Sequence, residues 1–341
     1  MHYFIAFEKQ ITFMKKAAKI IIFIVIGLFI LIAGLLSYVK LALPNVGPAD
    51  ELKVEITPAR LERGKYLANH VTVCIDCHTQ RDWSKFSGPL DPTKLGSGGE
   101  KFDHGVGFPG EVYVPNITPF NLKSWSDGEL YRAITTGVKK DGSAIFPIMP
   151  YQSYGKMDKE DIYSIIAYIR TLPEQKTEMP ERKLDFPLNF IVNTIPTKAT
   201  PQVIPASDDQ IAYGAYLVNS AACRDCHSKT DGGSIVEGME FAGGANFDLP
   251  SGSVYSANIT PDPETGIGKW TKEQFINRFK TYADSSYKPI TVGEKDFQTI
   301  MPWLMYSGMK ESDLEAIYAY LRTLKPVNNQ VVKFTPKVAK L

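Results

Sequence analysis

All four cysteines of the 341-residue chain fall in two short runs, CIDCH at 74–78 and CRDCH at 223–227. In each run two thiols bracket a pair of residues, and an imidazole follows at once. Attachment of a c-type haem uses this pattern: two thioether bonds to the porphyrin vinyl groups, and a histidine that reaches the iron from the same face. Cys74, Cys77 and His78 fill these roles once, and Cys223, Cys226 and His227 fill them again, which implies two covalently bound haem c groups. Two other chemistries compete. A tetrathiolate zinc site spaces its cysteine pairs by roughly 15–20 residues, whereas these pairs stand far apart. A disulfide-exchange pair suits an oxidising compartment but has no use for a histidine set twice at the same point.

Iron held this way needs a sixth ligand or keeps an open position. The chain has five histidines, and beyond His2 and the two motif residues there remain His70 and His104, neither with a counterpart in the other half. Met149 and Met301 do correspond, and each is followed by proline. A thioether is a soft ligand that favours ferrous iron, so histidine–methionine ligation raises the reduction potential over bis-histidine. Iron with both axial positions filled has no vacancy for peroxide or oxygen, which leaves single-electron transfer. The other candidates, Met157, Met179, Met239, Met305 and Met309, read as core or surface residues.

Around the iron ligands, the carbonyl of Pro89 in SGP is expected to take the Nδ1 proton of His78 and strengthen it as a donor. The second half has no equivalent proline, so another carbonyl must serve there. Asn116, Thr118 and Trp125, with Asn258, Thr260 and Trp270, supply donors suited to haem propionates; the NITP segments read equally well as plain turns, and the tryptophans as core.

The elements that position these residues repeat as well. RGKYLANHVTVCIDCH (63–78) aligns with YGAYLVNSAACRDCH (213–227), VPNITP (114–119) with SANITP (256–261), and FPIMPY (146–151) with QTIMPW (298–303). Between the last two, Ser126/Glu129 and Thr271/Gln274 write a capping box after a tryptophan. Ile162, Ile165, Ile166, Ile169 and Leu172, and then Leu314, Ile317, Tyr318, Leu321 and Leu324, recur at helical spacing, and Pro173 and Pro326 stop those helices. No alternating strand pattern of useful length occurs, so the expected fold is mainly α, with one unit over 58–173 and another over 206–326. The proline-rich segment 174–205 joins them, its apolar middle FPLNFIVNTIP expected to pack across one or both units, and 327–341 is a C-terminal tail.

Residues 20–36 read IIIFIVIGLFILIAGLL, without a charge, and 20–39 approaches the roughly 20 residues that cross a bilayer. Lys15, Lys16 and Lys19 precede it, which places residues 1–19 in the cytoplasm and everything after the anchor on the far side. The run exceeds a signal-peptide core of roughly 7–15 residues and no A-x-A site follows, so an uncleaved single-pass anchor in a bacterial inner membrane is expected. No cysteine stands at its end for a lipid anchor, and MKKAAK from Met14 reads as an alternative start. With 38 basic against 37 acidic residues, no field exists to gather nucleic acid.

CIDCH and CRDCH, IMPY and IMPW, and the closing IAYIRTL and IYAYLRTL resemble class I cytochrome c domains. That resemblance implies two tandem domains of this fold, in which Gly64 meets the 162–172 helix and Gly214 the 314–324 helix. NITPDPETGIGKW (258–270) followed by MPW is similar to the multihaem cytochrome c subunits of bacterial membrane-bound alcohol, gluconate and related sugar dehydrogenases, over about residues 58 to 326. Those subunits typically carry three haems, the first repeat here reads NITPFNLKSW without TGIG, and the anchor is N-terminal. The resemblance implies a non-catalytic respiratory-chain carrier that takes electrons from a periplasmic dehydrogenase or quinol and delivers them to another cytochrome or a terminal oxidase. The rivals are a dihaem cytochrome c peroxidase, in which one iron lacks its sixth ligand, and a redox sensor, for which no output domain is visible.

Overall fold

A computed structural model describes residues 2–337. The first helix, α1 (His2–Leu41), contains in Phe13–Leu41 a stretch long and apolar enough to cross a membrane. The remaining helices fall into two sets of like order. In the first repeat these are α2 (Pro58–Tyr66), the one-turn α3 (Cys74–Cys77), α4 (Pro119–Leu122), α5 (Asp127–Thr136), α6 (Tyr151–Tyr154) and α7 (Lys159–Ile169). After a short α8 (Leu188–Ile191), the second repeat gives α9 (Gln210–Ser220), α10 (Cys223–Cys226), α11 (Lys272–Lys280), α12 (Trp303–Tyr306) and α13 (Glu311–Leu321).

Each repeat is organised by one close helix crossing. Helix α2 starts at Thr57, whose hydroxyl accepts from Arg60 N–H, with Pro58 in the first turn where its missing N–H costs nothing. It crosses α7 at Gly64, where any Cβ would collide with the Ser164 carbonyl oxygen. The second crossing, α9 over α13, repeats this at Gly214 against the Ala316 carbonyl. The helix faces set by the apolar spacing are inward: Ile162, Ile165, Ile166 and Ile169 are buried, as are Leu314, Ile317 and Leu321. Each such side chain contributes about 2 kcal/mol of transfer free energy. Both capping boxes form, on α5 through Ser126 and Glu129 and on α11 through Thr271 and Gln274.

The repeats differ by one residue between the crossing glycine and the cysteines. The first repeat absorbs it in a π-turn over Leu67–Val71, where Thr72 N–H reaches Leu67 O at 2.8 Å; in the second, α9 runs straight through.

Small sheets also form. β1 (Lys101–Phe102), β2 (Gly110–Tyr113) and β3 (Lys183–Leu184) make one in that order, β4 (Thr230–Asp231) and β5 (Ser234–Ile235) a hairpin, and β6 (Asn246–Leu249), β7 (Gly252–Tyr255) and β8 (Phe334–Pro336) a third. Strands of two to four residues are too short to show a period. Two of them tie down what read as connectors. β3 fastens the 174–205 segment to β2, Thr200 and Gln202 donate to the carbonyls of Gly155 and Lys156, and α8 packs against α1. β8 pairs with β7, so the chain beyond 326 is part of the second repeat as far as 337, and 338–341 lie outside the described residues.

The two repeats meet in an interface that is its own complement. Tyr66 Oη donates to Asp313 Oδ2 at 2.6 Å, and Tyr216 Oη donates to Asp161 Oδ2 at 2.6 Å. The same phenols accept from Lys310 N–H at 3.0 Å and from Asp158 N–H at 3.2 Å. Residues at equivalent places exchange partners, as across a twofold axis, and one continuous core runs through both halves.

Candidate haem-attachment sites

Each cysteine pair sits on a single helical turn introduced by a left-handed residue, Val73 at φ 46° and Ala222 at φ 51°. The turn closes through His78 N–H to Cys74 O at 3.0 Å and His227 N–H to Cys223 O at 2.9 Å. Both sulfurs and the imidazole are thereby presented from one short rigid segment, twice in the same way.

The imidazoles are aimed by backbone carbonyls. His78 Nδ1 lies 2.7 Å from Pro115 O, and His227 Nδ1 lies 2.7 Å from Ala257 O. A carbonyl only accepts, so Nδ1 carries the proton and Nε2 keeps its lone pair for a metal. This corrects the expectation for Pro89, whose carbonyl instead accepts Asp82 N–H at 2.9 Å. Pro115 and Ala257 each precede the asparagine of NITP, so one element serves both repeats.

All four thiols are free; Cys74, Cys77 and Cys223 are half-buried and Cys226 is exposed. Though accessible to different degrees, all four are crowded by surrounding protein. Burial lifts Cys77 and Cys223 to about 12, with Asp76 and Cys226 respectively adding to it, and Cys226 to about 11. Burial also lowers both motif histidines, opposed by their carbonyl contacts. Neutral sulfur and neutral imidazole are the forms that thioether bonding and iron ligation use, so the donor set fits haem c. Among the described residues, no three His, Cys, Asp or Glu side chains converge as a metal cluster of another kind.

Met149 and Met301 lie half-buried in loops of matching conformation. Tyr151 N–H returns to Met149 O and Trp303 N–H to Met301 O, both at 2.8 Å, and the intervening prolines share φ −79°. Met157, Met305 and Met309 are buried in the core. His70 Nδ1 meets Met305 O at 2.8 Å, and His104 pairs with Asp185 at the surface.

The NITP asparagines have a structural task. Asn116 Oδ1 accepts from Thr118 N–H and Oγ1, while Nδ2 donates to the carbonyls of Gln175 and Thr177. Asn258 does likewise with Thr260, Thr265 and the Val327 carbonyl. An amide has two donor hydrogens, and both are used, so these residues tie the loop to the chain beyond the last helix. The indole N–H groups of Trp125 and Trp270 have no protein acceptor among the described residues.

The interface brings the two motifs near each other. Tyr154 Oη donates to Thr72 O, and Tyr306 Oη to Ala221 O, at 2.8 and 2.9 Å. Both phenols are held well above their ordinary range, first by burial; the thiols of the same repeat add to this, and so do Asp225 for Tyr154 and Asp76 with Cys77 for Tyr306, from the opposite repeat. Asn219 Nδ2 donates to Ser153 O at 2.8 Å, the counterpart of His70 on Met305. Sequence reasoning missed these tyrosines, although their equivalent positions in the two repeats were a usable signal.

Residues 211–325 match the Cytochrome c family, and this part of the chain is a cytochrome c domain, the kind of domain that carries covalently bound haem c. The chain is 26% identical, over 79% of its length and 57% of the relative's, to the cytochrome c subunit of a quinone-type alcohol dehydrogenase of Gluconacetobacter polyoxogenes. It is 25% identical, over 89% of its length and 66% of the relative's, to the gluconate 2-dehydrogenase cytochrome c subunit of Pantoea cypripedii. A diheme cytochrome c-type protein of Cereibacter sphaeroides is 28% identical over 55% of this chain and 63% of its own. The chain thus spans little more than half the length of the alcohol dehydrogenase subunits it matches.

Proposed function

We propose that the chain is a membrane-anchored cytochrome c with two tandem haem domains, 58–173 and 206–326, that passes single electrons between a dehydrogenase or quinol-oxidising partner and a downstream cytochrome or terminal oxidase. One observation carries this: the full set of thiol pair, carbonyl-aimed imidazole and methionine–proline loop occurs twice in equivalent backbone settings. The chemistry a bound haem supplies is reversible one-electron storage at iron. Cys74 and Cys77, and Cys223 and Cys226, would hold it; His78 and His227 would ligate from one side, Met149 and Met301 from the other. Pro115 and Ala257 fix the imidazole tautomer, and the buried helix crossings keep water from the core. The hydrogen bonds that join the surroundings of the two motifs across the interface suit transfer within the molecule. Anchoring by α1 with Lys15, Lys16 and Lys19 on the cytoplasmic side would set both domains in the periplasm. The names of the relatives favour a dehydrogenase as electron donor.

Haem quantitation and an optical spectrum of the purified full chain test the reading. Two haem equivalents, a methionine-to-iron charge-transfer band of two-haem intensity and a lowered potential at one centre alone in Met301→His are expected. High-spin ferric iron with peroxide turnover would instead establish a dihaem peroxidase.

A further inference from the structure

The two methionine loops are held by different parts of the molecule. After His78 the first repeat makes a longer excursion before returning, through Gly98 N–H to His78 O, than the second makes between His227 and Gly243. The extra length runs out to the opposite repeat. Phe86 N–H donates to Ile290 O at 2.9 Å, and Val292 N–H returns to Ser84 O at 2.8 Å. Ser87 Oγ donates to Met301 O at 2.8 Å, and the same oxygen accepts Trp303 N–H at 3.2 Å, so one hydroxyl clasps both sides of the Met–Pro step. Gln298 locks the contact: its Oε1 accepts Ser87 N–H at 2.9 Å, and its Nε2 donates to Trp83 O and Lys85 O at 3.0 and 2.9 Å. Phe86 lies against Tyr282 and Phe297.

This segment is buried and constrained. Ser87 is 3% exposed and Gln298 4%, and Ser87 and Gly88 both adopt positive φ, 62° and 53°, the first being unfavourable for a residue with a Cβ. Its base is fastened beside the first haem motif, where Arg81 lies over the Trp83 ring and Trp83 Nε1 donates to Glu100. Among the described residues, nothing equivalent reaches Met149. The corresponding stretch of the second repeat folds into the exposed hairpin β4–β5, and Phe146 and Pro147 stand where Gln298 and Thr299 stand, so the amide that would receive a strap is missing.

We propose that residues 83–88 are a strap by which the first repeat holds the Met301 loop against its iron, with Ser87 as the positioning residue; this rests on Met301 being an axial ligand. Its consequence is that the second centre keeps its methionine against competing ligands more firmly than the first does. The removal of one buried hydrogen bond is worth about 1.4 kcal/mol, or tenfold in an equilibrium.

The experiment uses the full haem-loaded chain in a Met149→His background, where any methionine-to-iron band can come only from Met301. Ser87→Gly removes the hydroxyl and tolerates the positive φ; Gln298→Ala is the second variant. Added imidazole is titrated against the band. We expect displacement at roughly tenfold lower imidazole in each variant, whereas Ser84→Ala, which lies in the strap but loses only a hydroxyl bonded to Asp82 and no side-chain contact with the Met301 loop, leaves the titration as in the parent. Titration curves identical in parent, Ser87→Gly and Gln298→Ala, with native circular dichroism, overturn the strap. Absence of the band from the Met149→His parent overturns the axial reading itself and is seen before any strap variant is made.

Discussion

The CIDCH and CRDCH segments share one backbone shape and one way of aiming histidine, yet the charge beneath them differs. Asp76, inside the first motif, is buried with Arg81 at 2.8 Å, and Arg81 also meets Glu100 at 3.2 Å. Burial pushes the Asp76 carboxyl up to about 6, with Arg81 pulling the other way. Asp225, at the equivalent place, faces solvent on one side and accepts from Ser153 Oγ at 3.2 Å across the interface; its neighbour Arg224 is half exposed, 3.6 Å from Glu240. Attachment demands a fixed turn, two sulfurs and a tautomer, and both repeats meet that demand. The charges around it are free to diverge, and here they do.

Three measurements break or sharpen the comparison. The largest effect is expected at the crossings: Gly64→Ala and Gly214→Ala each force a Cβ into a carbonyl oxygen of the partner helix, and each should lower unfolding free energy by more than about 4 kcal/mol. Denaturant titration showing one of them tolerated would mean that the crossings are not equivalent. Next, Arg81→Met leaves Asp76 and Glu100 facing each other without a cation, at a cost of about 3 kcal/mol. Arg224→Met, at the exposed pair, should change stability by less than about 0.5 kcal/mol. Equal losses in thermal unfolding would erase the contrast.

The smallest effect separates the two sides of the interface by pH. Burial holds His70 below its ordinary value, with Lys280 and Lys65 acting in the same direction and the Met305 carbonyl opposing. Above the ordinary histidine range of about 6.5 both folded and unfolded chains have it neutral, and its contribution is complete. As pH falls through that range the unfolded chain takes up the proton first, so stability is lost. The counterpart contact, Asn219 on Ser153, has no titrating group. His70→Asn should therefore unfold at a temperature less sensitive to a shift from pH 7.5 to 5.5 than the parent does; identical pH slopes would show that His70 is not the source.

What the sequence disclosed was whatever is local. The CxxCH spacing, the capping boxes at Ser126 and Thr271 and the isoleucine stripe of α7 each lie within a few turns of chain, and residue type declares them. The acceptor for His78 was not legible, because a carbonyl belongs to every residue: Pro89 and Pro115 look alike until the loop is folded. The protein partners of the NITP asparagines were hidden for a related reason, since an amide suits a propionate and a backbone carbonyl equally well. The Tyr66–Asp313 and Tyr216–Asp161 contacts and the Ser87 clasp join residues far apart in sequence, and nothing in their immediate neighbours marks them. The strand β8 was read as tail because three residues carry no periodicity.

The π-turn at Leu67–Val71 has a consequence for how such duplicated chains diverge. A residue added to an ordinary helix rotates everything beyond it by about 100°, which would swing the cysteines of the first repeat away from the place their counterparts hold in the second. A locally widened coil swallows the extra residue instead and leaves both flanks where they were. The glycine and the sulfurs therefore keep their placement although the count between them differs, and a deletion inside 67–71 that restores a straight coil should be better accepted than one elsewhere between Gly64 and Cys74.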